Sequence, residues 1–308
     1  MDEEEIKKNK DPNADKTFIL NTGFLERFRE LISDLSVDVQ KNADLKKKDF
    51  IVRPRAPGVY PGILVFHDWW GLDDYVRSVC LRLAKKGFVA IAPSLYYGEM
   101  THRESVAKIL MKNVNPEKVM EIVEGYFEKL MTYPFVDRRY IGTIGFLMGG
   151  YYSLLAAAKI KEIKASAAIY GHFPRSLSDQ ELSQITNPVF LASGVLEDWL
   201  EQEEFNLYSE TFKDNKVNIS VQKYENVRLN FMDELHPEGF DYGSTENLWK
   251  QLGEFFETHL RPVQPKQSRV KRYFGFLGGG FAKLVEDAIG EKKEKPKENA
   301  EEEEEEDD

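Results

Sequence analysis

Residues 140–151 read Tyr140-Ile141-Gly142-Thr143-Ile144-Gly145-Phe146-Leu147-Met148-Gly149-Gly150-Tyr151. An apolar run of the kind a buried strand requires passes without a spacer into a helical stretch. Gly145 and Gly149 stand two positions before and two after Leu147. A sharp strand-to-helix corner needs small residues at those two places, because larger side chains would collide with the strand and the helix. Such a corner exposes the residue at its apex, which in an acyl-transfer enzyme is Ser or Cys. Here it is Leu147, which has no atom able to attack a carbonyl.

Outward from this corner the chain alternates. Continuous apolar runs occur at 62–66, 88–92, 140–145, 165–170, 188–193 and 217–224, each compatible with a strand covered on both faces. Helical patterns fill 74–86, 117–132, 149–160, 200–213 and 244–260. This order predicts an α/β fold in three layers, a mostly parallel sheet with helices on both faces and right-handed crossovers. Ligands of such sheets bind beyond the carboxyl ends of the strands, so chemistry is expected in the loops after 66, 92, 145, 170, 193 and 224.

With those landmarks placed, residues 45–262 resemble the dienelactone hydrolase family of α/β-hydrolases. Pro61-Gly62-Ile63-Leu64-Val65-Phe66-His67-Asp68-Trp69-Trp70-Gly71-Leu72 is similar to the family's strand and oxyanion loop, in which an acidic residue precedes the backbone donor. Lys86-Gly87-Phe88-Val89-Ala90-Ile91-Ala92-Pro93-Ser94-Leu95-Tyr96 resembles its next strand and loop. The family's acid stands in a Gly-x-x-x-Asp context, which Gly194-Val195-Leu196-Glu197-Asp198 reproduces. Its histidine stands in Tyr-x-x-x-x-His-x-Phe, which here reads Tyr224 to Phe231 with Leu229 at the histidine position. The resemblance therefore implies one triad member, Asp198, and denies the other two. It also implies oxyanion donors at the backbone amides of Trp69 and Met148, which survive any side-chain change. The implied pocket, lined by Leu147, Leu229, Met148, Trp69 and Trp199, is more apolar than an esterase site. Asp198, lacking its histidine, is expected to find another partner in Arg228, a tryptophan N–H or backbone donors, since an unpaired half-buried carboxylate is costly.

Composition narrows the rest. Of the net charge of -11, residues 291–308 carry -7 and residues 1–16 carry -2, so the remainder, at -2, offers no basic field for nucleic acid. A single cysteine, Cys80, leaves no disulfide or Cys-x-x-Cys pair. The start, MDEEEIKKNK, has neither a basic nor an apolar leader region, and no run of eighteen apolar residues follows, so a cytoplasmic protein is expected. Five segments are expected: a disordered tail at 1–20, a helix and lead-in at 21–44, the α/β domain at 45–262, a linker and amphipathic docking segment at 263–290, and an acidic disordered tail at 291–308.

Other residues compete for a role. Ser153 and Ser94 are the alternative nucleophiles, Cys80 lies on an apolar helix face and reads as core, and His67 is expected to order the oxyanion loop. His172 and His236, the latter seven residues beyond Leu229, are the candidate replacement bases, while His102 and His259 read as surface residues. His67 and Asp68 are adjacent on a strand and point to opposite faces, which argues against a shared metal, and no cofactor is expected. The leading expectation is a non-catalytic protein that binds a hydrophobic small molecule or serves as a scaffold. An ester hydrolase with an unrecognised nucleophile is the second. The third is an interaction protein acting through 263–308, toward a protein partner or an anionic membrane surface.

Overall fold

The computed structural model describes residues 30, 37–39, 49–170, 177–195 and 199–261, without the side chains of 37–39, 199–202 and 204. The chain divides into two compact units, Met1–Arg261 and Pro262–Asp308, and the second lies outside the described residues. The expected docking segment and acidic tail fall there. Of the expected helix and lead-in at 21–44, only Glu30, which is helical, and Val37–Val39 are described.

In chain order the described elements are β1 (Val37–Val39), β2 (Asp49–Pro54), β3 (Tyr60–Phe66), α1 (Asp74–Lys85), β4 (Val89–Pro93), α2 (Glu104–Asn113), α3 (Pro116–Thr132), β5 (Val136–Phe146), α4 (Met148–Lys159), β6 (Ile163–Ile169), α5 (Asp179–Leu182), β7 (Val189–Val195), α6 (Trp199–Asp214), β8 (Ile219–Glu225) and α7 (Tyr242–Leu260). They build one eight-stranded sheet in the order β1-β2-β4-β3-β5-β6-β7-β8. The six strands β3 to β8 run parallel, and β1 and β2 form an antiparallel edge. Its two faces are buried under separate clusters. One joins Val76, Cys80 and Leu83 of α1 to Leu248, Leu252 and Phe256 of α7, and the other joins Val119 and Val123 of α3 to Leu154 and Leu155 of α4. Two-sided cover of this kind is why the central strands read as unbroken apolar runs.

Two expectations are corrected. The run 217–224 is not a doubly covered strand: β8 pairs only with β7, and every one of its residues is partly or well exposed, as an edge position allows. Helix α2 was not predicted, and among its residues only Ala107 is buried, so it displays no wide apolar stripe. Register then sets the site. Phe66 pairs with Gly145, and Phe146 with Ile169, which brings the carboxyl ends of β3, β5 and β6 side by side.

Candidate functional site

The corner between β5 and α4 has the predicted shape. Leu147 adopts φ 49° and ψ -115°, a left-handed conformation that an L side chain rarely adopts. Its N–H donates to the Ile169 carbonyl at 2.8 Å, and its carbonyl accepts from Gly150 N–H at 2.9 Å. A Cβ on Gly145 would lie 1.9 Å from the Gly149 carbonyl oxygen, and one on Gly149 would lie 2.4 Å from the carbonyl oxygens of Phe66 and His67. Strand, helix and neighbouring loop thus leave room for hydrogen alone. A conformation of this kind costs on the order of 1–3 kcal/mol and persists because its surroundings over-determine it.

Facing the corner is the loop from His67 to Asp73. Leu95 N–H donates to His67 Nε2 at 2.9 Å, so the proton must sit on Nδ1, which donates to the Asp68 carbonyl at 2.7 Å. Burial pushes this imidazole down to about 4, against the pull of that carbonyl, so it is neutral. His67 therefore does order the loop, by tying it to the segment after β4. The Asp68 carboxylate accepts Trp70 N–H at 2.8 Å. Burial, and then the neighbouring Asp73 and Asp233 carboxylates, hold it well above the usual carboxylate range. Gly71 turns the chain at φ 99°, where a Cβ would meet the Glu99 carbonyl oxygen at 2.7 Å. Met148 opens α4 and so has no intrahelical acceptor for its N–H. The hydrogen bonds of the loop leave Trp69 N–H without a described acceptor. These are the two donors that the family resemblance implies for an oxyanion hole.

Leu147 and Leu229 are both half-buried against the cluster on the α1 and α7 face. Met148 corrects the expected pocket: its side chain is buried in the opposite cluster, with Tyr96 Oη donating to its sulfur at 3.5 Å, so it offers the site an amide and no wall. A Cβ on Gly194 would stand 2.3 Å from the Arg228 carbonyl oxygen, which shows how closely the loop carrying Leu229 presses on the end of β7. Asp198 lies outside the described residues, as do the side chain of Trp199 and all of His172. The expected partner of Asp198 falls there too.

The alternative nucleophiles are sequestered. Ser153 is fully buried, with its hydroxyl bonded to Thr143 Oγ1 at 2.8 Å and the Ala167 carbonyl at 2.9 Å. Ser94 is buried and accepts Gly98 N–H at 2.8 Å. Cys80 is core, and burial pushes its thiol up, away from thiolate. His102 is exposed, whereas His259 corrects its surface reading: it is half-buried, edge-on to Phe255 at 4.9 Å.

The sequence reading missed a polar network behind the oxyanion loop. Asp73 caps α1 by accepting Val76 N–H at 3.0 Å. Its second oxygen, Oδ2, is buried with no partner among the described residues, and so is Tyr75 Oη. Burial, then the Asp233 carboxylate, raises Asp73 to about 7. Asp233 Oδ2 lies 2.6 Å from His236 Nδ1, and the His236 ring stacks on Trp70 with centroids 4.1 Å apart and planes 10° from parallel. Burial works against the charged imidazole. The hydrogen bond and charge of Asp233, helped by Asp73 and Glu238, override it and raise His236 above 6.5. The Asp-x-x-His spacing was the only signal in the sequence. Among the described residues, no group of three or more His, Cys, Asp or Glu is placed to hold a metal ion, and no helix is long and apolar enough to cross a membrane.

The sequence profile of the dienelactone hydrolase family matches residues 48–260. The chain belongs to the dienelactone hydrolase family. A protein of Aquifex aeolicus (strain VF5), named as a candidate carboxymethylenebutenolidase, is 29% identical over 236 residues, covering 73% of this chain and 98% of its own. Protein usf of Aquifex pyrophilus is 27% identical over 231 residues, with 73% and 98% covered. Among solved structures, the dienelactone hydrolase-like promiscuous phosphotriesterase P91 from metagenomic libraries superposes with a TM-score of 0.64 at 20% identity, over 73% of this chain and 100% of its own. The dienelactone hydrolase of Anabaena variabilis does so with 0.55 at 17% identity, over 72% and 99%. At such identities the structures establish the fold, and the family's fold is the three-layer α/β architecture described above.

Proposed function

We propose that this member of the dienelactone hydrolase family does not turn over an acyl substrate and acts by binding, holding an uncleaved hydrophobic carbonyl compound or serving as a scaffold. Leu147 at the apex of an otherwise complete elbow carries this reading. Loss of a triad nucleophile or its histidine lowers kcat on the order of 10⁶-fold, and what remains over water comes from the oxyanion hole and binding. Both losses occur here, and they are consistent, because a base serves nothing without the group it activates. The strained backbone and the Trp69 and Met148 amides persist without that chemistry. The two amides can still donate to a carbonyl oxygen, beside an apolar wall at Leu147 and Leu229.

The test is reaction of the purified full chain with a fluorophosphonate and with a reactive aryl ester. No labelling and no burst are expected, and stoichiometric labelling would overturn the reading. Compounds that copurify with the chain and are displaced by an apolar ester would support binding.

A second reading is hydrolysis by water activated on His236, favoured by its 2.6 Å contact with the buried Asp233. It predicts slow ester turnover without labelling that is lost in His236→Gln. A third, interaction through residues 263–308, is tested by partner recovery with the full chain and with a chain ending at Pro262. Equal recovery would remove it.

A further inference from the structure

The loop between β8 and α7 and the oxyanion loop meet at one contact, the His236 ring lying flat on Trp70. Each partner is anchored behind that contact. Trp70 donates its N–H to Asp68 and accepts Thr101 N–H at its carbonyl, 2.9 Å away. His236 is anchored through the buried Asp233, whose other carboxylate oxygen accepts Leu235 N–H at 3.0 Å. The loop that carries them is pinned further back, where Met232 N–H donates to Tyr170 Oη at 3.0 Å and Arg82 pairs with Glu234 at 3.2 Å. The anchors at Tyr170 and Arg82 do not involve the imidazole, so loosening the ring leaves the loop in place. Trp69, whose amide is one of the two oxyanion donors, is the residue before Trp70, and their indoles meet edge to face at 5.0 Å.

We propose that the imidazolium of His236 is the positioning group of the oxyanion loop, clamping Trp70 against the loop after β8 and thereby setting the Trp69 amide, and that loss of its proton releases the clamp. A charged ring gains both a charge-assisted bond to Asp233 and a cation–π stack on the indole, whereas the neutral ring keeps only an ordinary Nδ1–H donation and an uncharged stack. The groups facing the ring are Asp233 and Glu238 of its own loop, Asp73 at the start of α1, and His102 across the gap, with ring centroids 6.2 Å apart. The three carboxylates favour the proton and His102 opposes it. Since the folded-state value is raised, the clamp is complete below pH 6.5 and is lost as pH rises through that higher value. The clamp stands whether or not the pocket holds a ligand.

Nuclear magnetic resonance on the full chain, labelled at histidine Cε1 and backbone nitrogen, tests it between pH 5 and 9. His236, assigned by the signal missing from His236→Phe, should titrate with a midpoint above 6.5. The Trp70 indole and Trp69 amide resonances should move with the same midpoint. Asp233→Asn should lower that midpoint by on the order of one pH unit. His236→Phe keeps a ring for the stack but cannot titrate, so the Trp69 and Trp70 shifts should vanish. Asp73 ionises in the same range, and Asp73→Asn separates the two without depending on how the Phe variant folds: the tryptophan shifts survive in it if His236 is their source. Disappearance of those shifts in Asp73→Asn, a His236 midpoint at or below 6.5, or a Trp69 amide indifferent to His236 titration would each overturn the proposal.

Discussion

The elbow and the His236 loop sit on the two sides of the oxyanion loop and have opposite relations to chemistry. At the elbow the sharp backbone corner is complete, down to φ 49° at residue 147, and its apex carries a leucine with no attacking atom. In the loop after β8, Leu229 stands where the family resemblance implies a histidine, and seven residues on stands an imidazole held by a buried carboxylate at 2.6 Å. The comparison teaches that the two kinds of feature are preserved by different forces. A backbone corner is fixed by repulsion among main-chain atoms that no single side-chain change relaxes. A titratable side chain is fixed only by its partners and can be replaced or rebuilt elsewhere on the same loop.

The strongest challenge to that contrast is Gly149→Ala or Gly145→Ala. The added methyl would meet backbone oxygens at 2.4 or 1.9 Å, so each should lower unfolding free energy by about 4 kcal/mol or more, read by urea titration. Retained wild-type stability would mean the corner is not sterically fixed. Next in size, Asp233→Asn and His236→Gln should each cost about 2–3 kcal/mol at pH 6, because removing one member leaves the other buried without its charge-assisted partner. For His236→Gln the loss should shrink as pH rises through the raised folded-state value of the wild-type imidazole. A pH-independent deficit would break the assignment of charge.

Asp73 also loses stability as pH rises, but there the substitution is expected to stabilise. Its folded-state value, about 7, lies above its unfolded 3.8, so the folded state binds more protons between those values and stability falls as pH rises through that window. Asp73→Asn keeps a capping acceptor for Val76 N–H and should therefore be more stable than wild type at pH 8, by on the order of 1 kcal/mol, and near neutral at pH 4. The smallest effect sharpens the elbow itself. Glycine is ordinarily worse than alanine by about 0.5–1 kcal/mol in regular structure, but at residue 147 the positive φ reverses the order. Leu147→Gly should be at least as stable as Leu147→Ala, by thermal melting of the two variants side by side.

Much of the fold was legible. The runs at 62–66, 88–92 and 140–145 fall inside or within one residue of β3, β4 and β5, because strands covered on both faces admit few polar residues. Helix α2 and the edge character of β8 were not legible, because exposed surfaces tolerate mixed sequences. At the site, Gly145, Leu147 and Gly149 could be placed by spacing, and the Trp69 loop by its likeness to the family's. Met148's turn toward the far cluster could not, since it depends on which face the first helical residue presents after a strained corner. Nor could the meeting of Asp73, Tyr75, Asp233 and His236, which comes from segments about 160 residues apart.

The sequence by itself determined the layered α/β architecture and the absence of an attacking atom at the corner, because apolar periodicity and the identity of one residue are local properties. Only the tertiary structure decided that three carboxylates and an imidazole share one buried region behind the oxyanion loop. Burial and mutual charge arise from atoms distant along the chain, and these set which of the groups carries a proton.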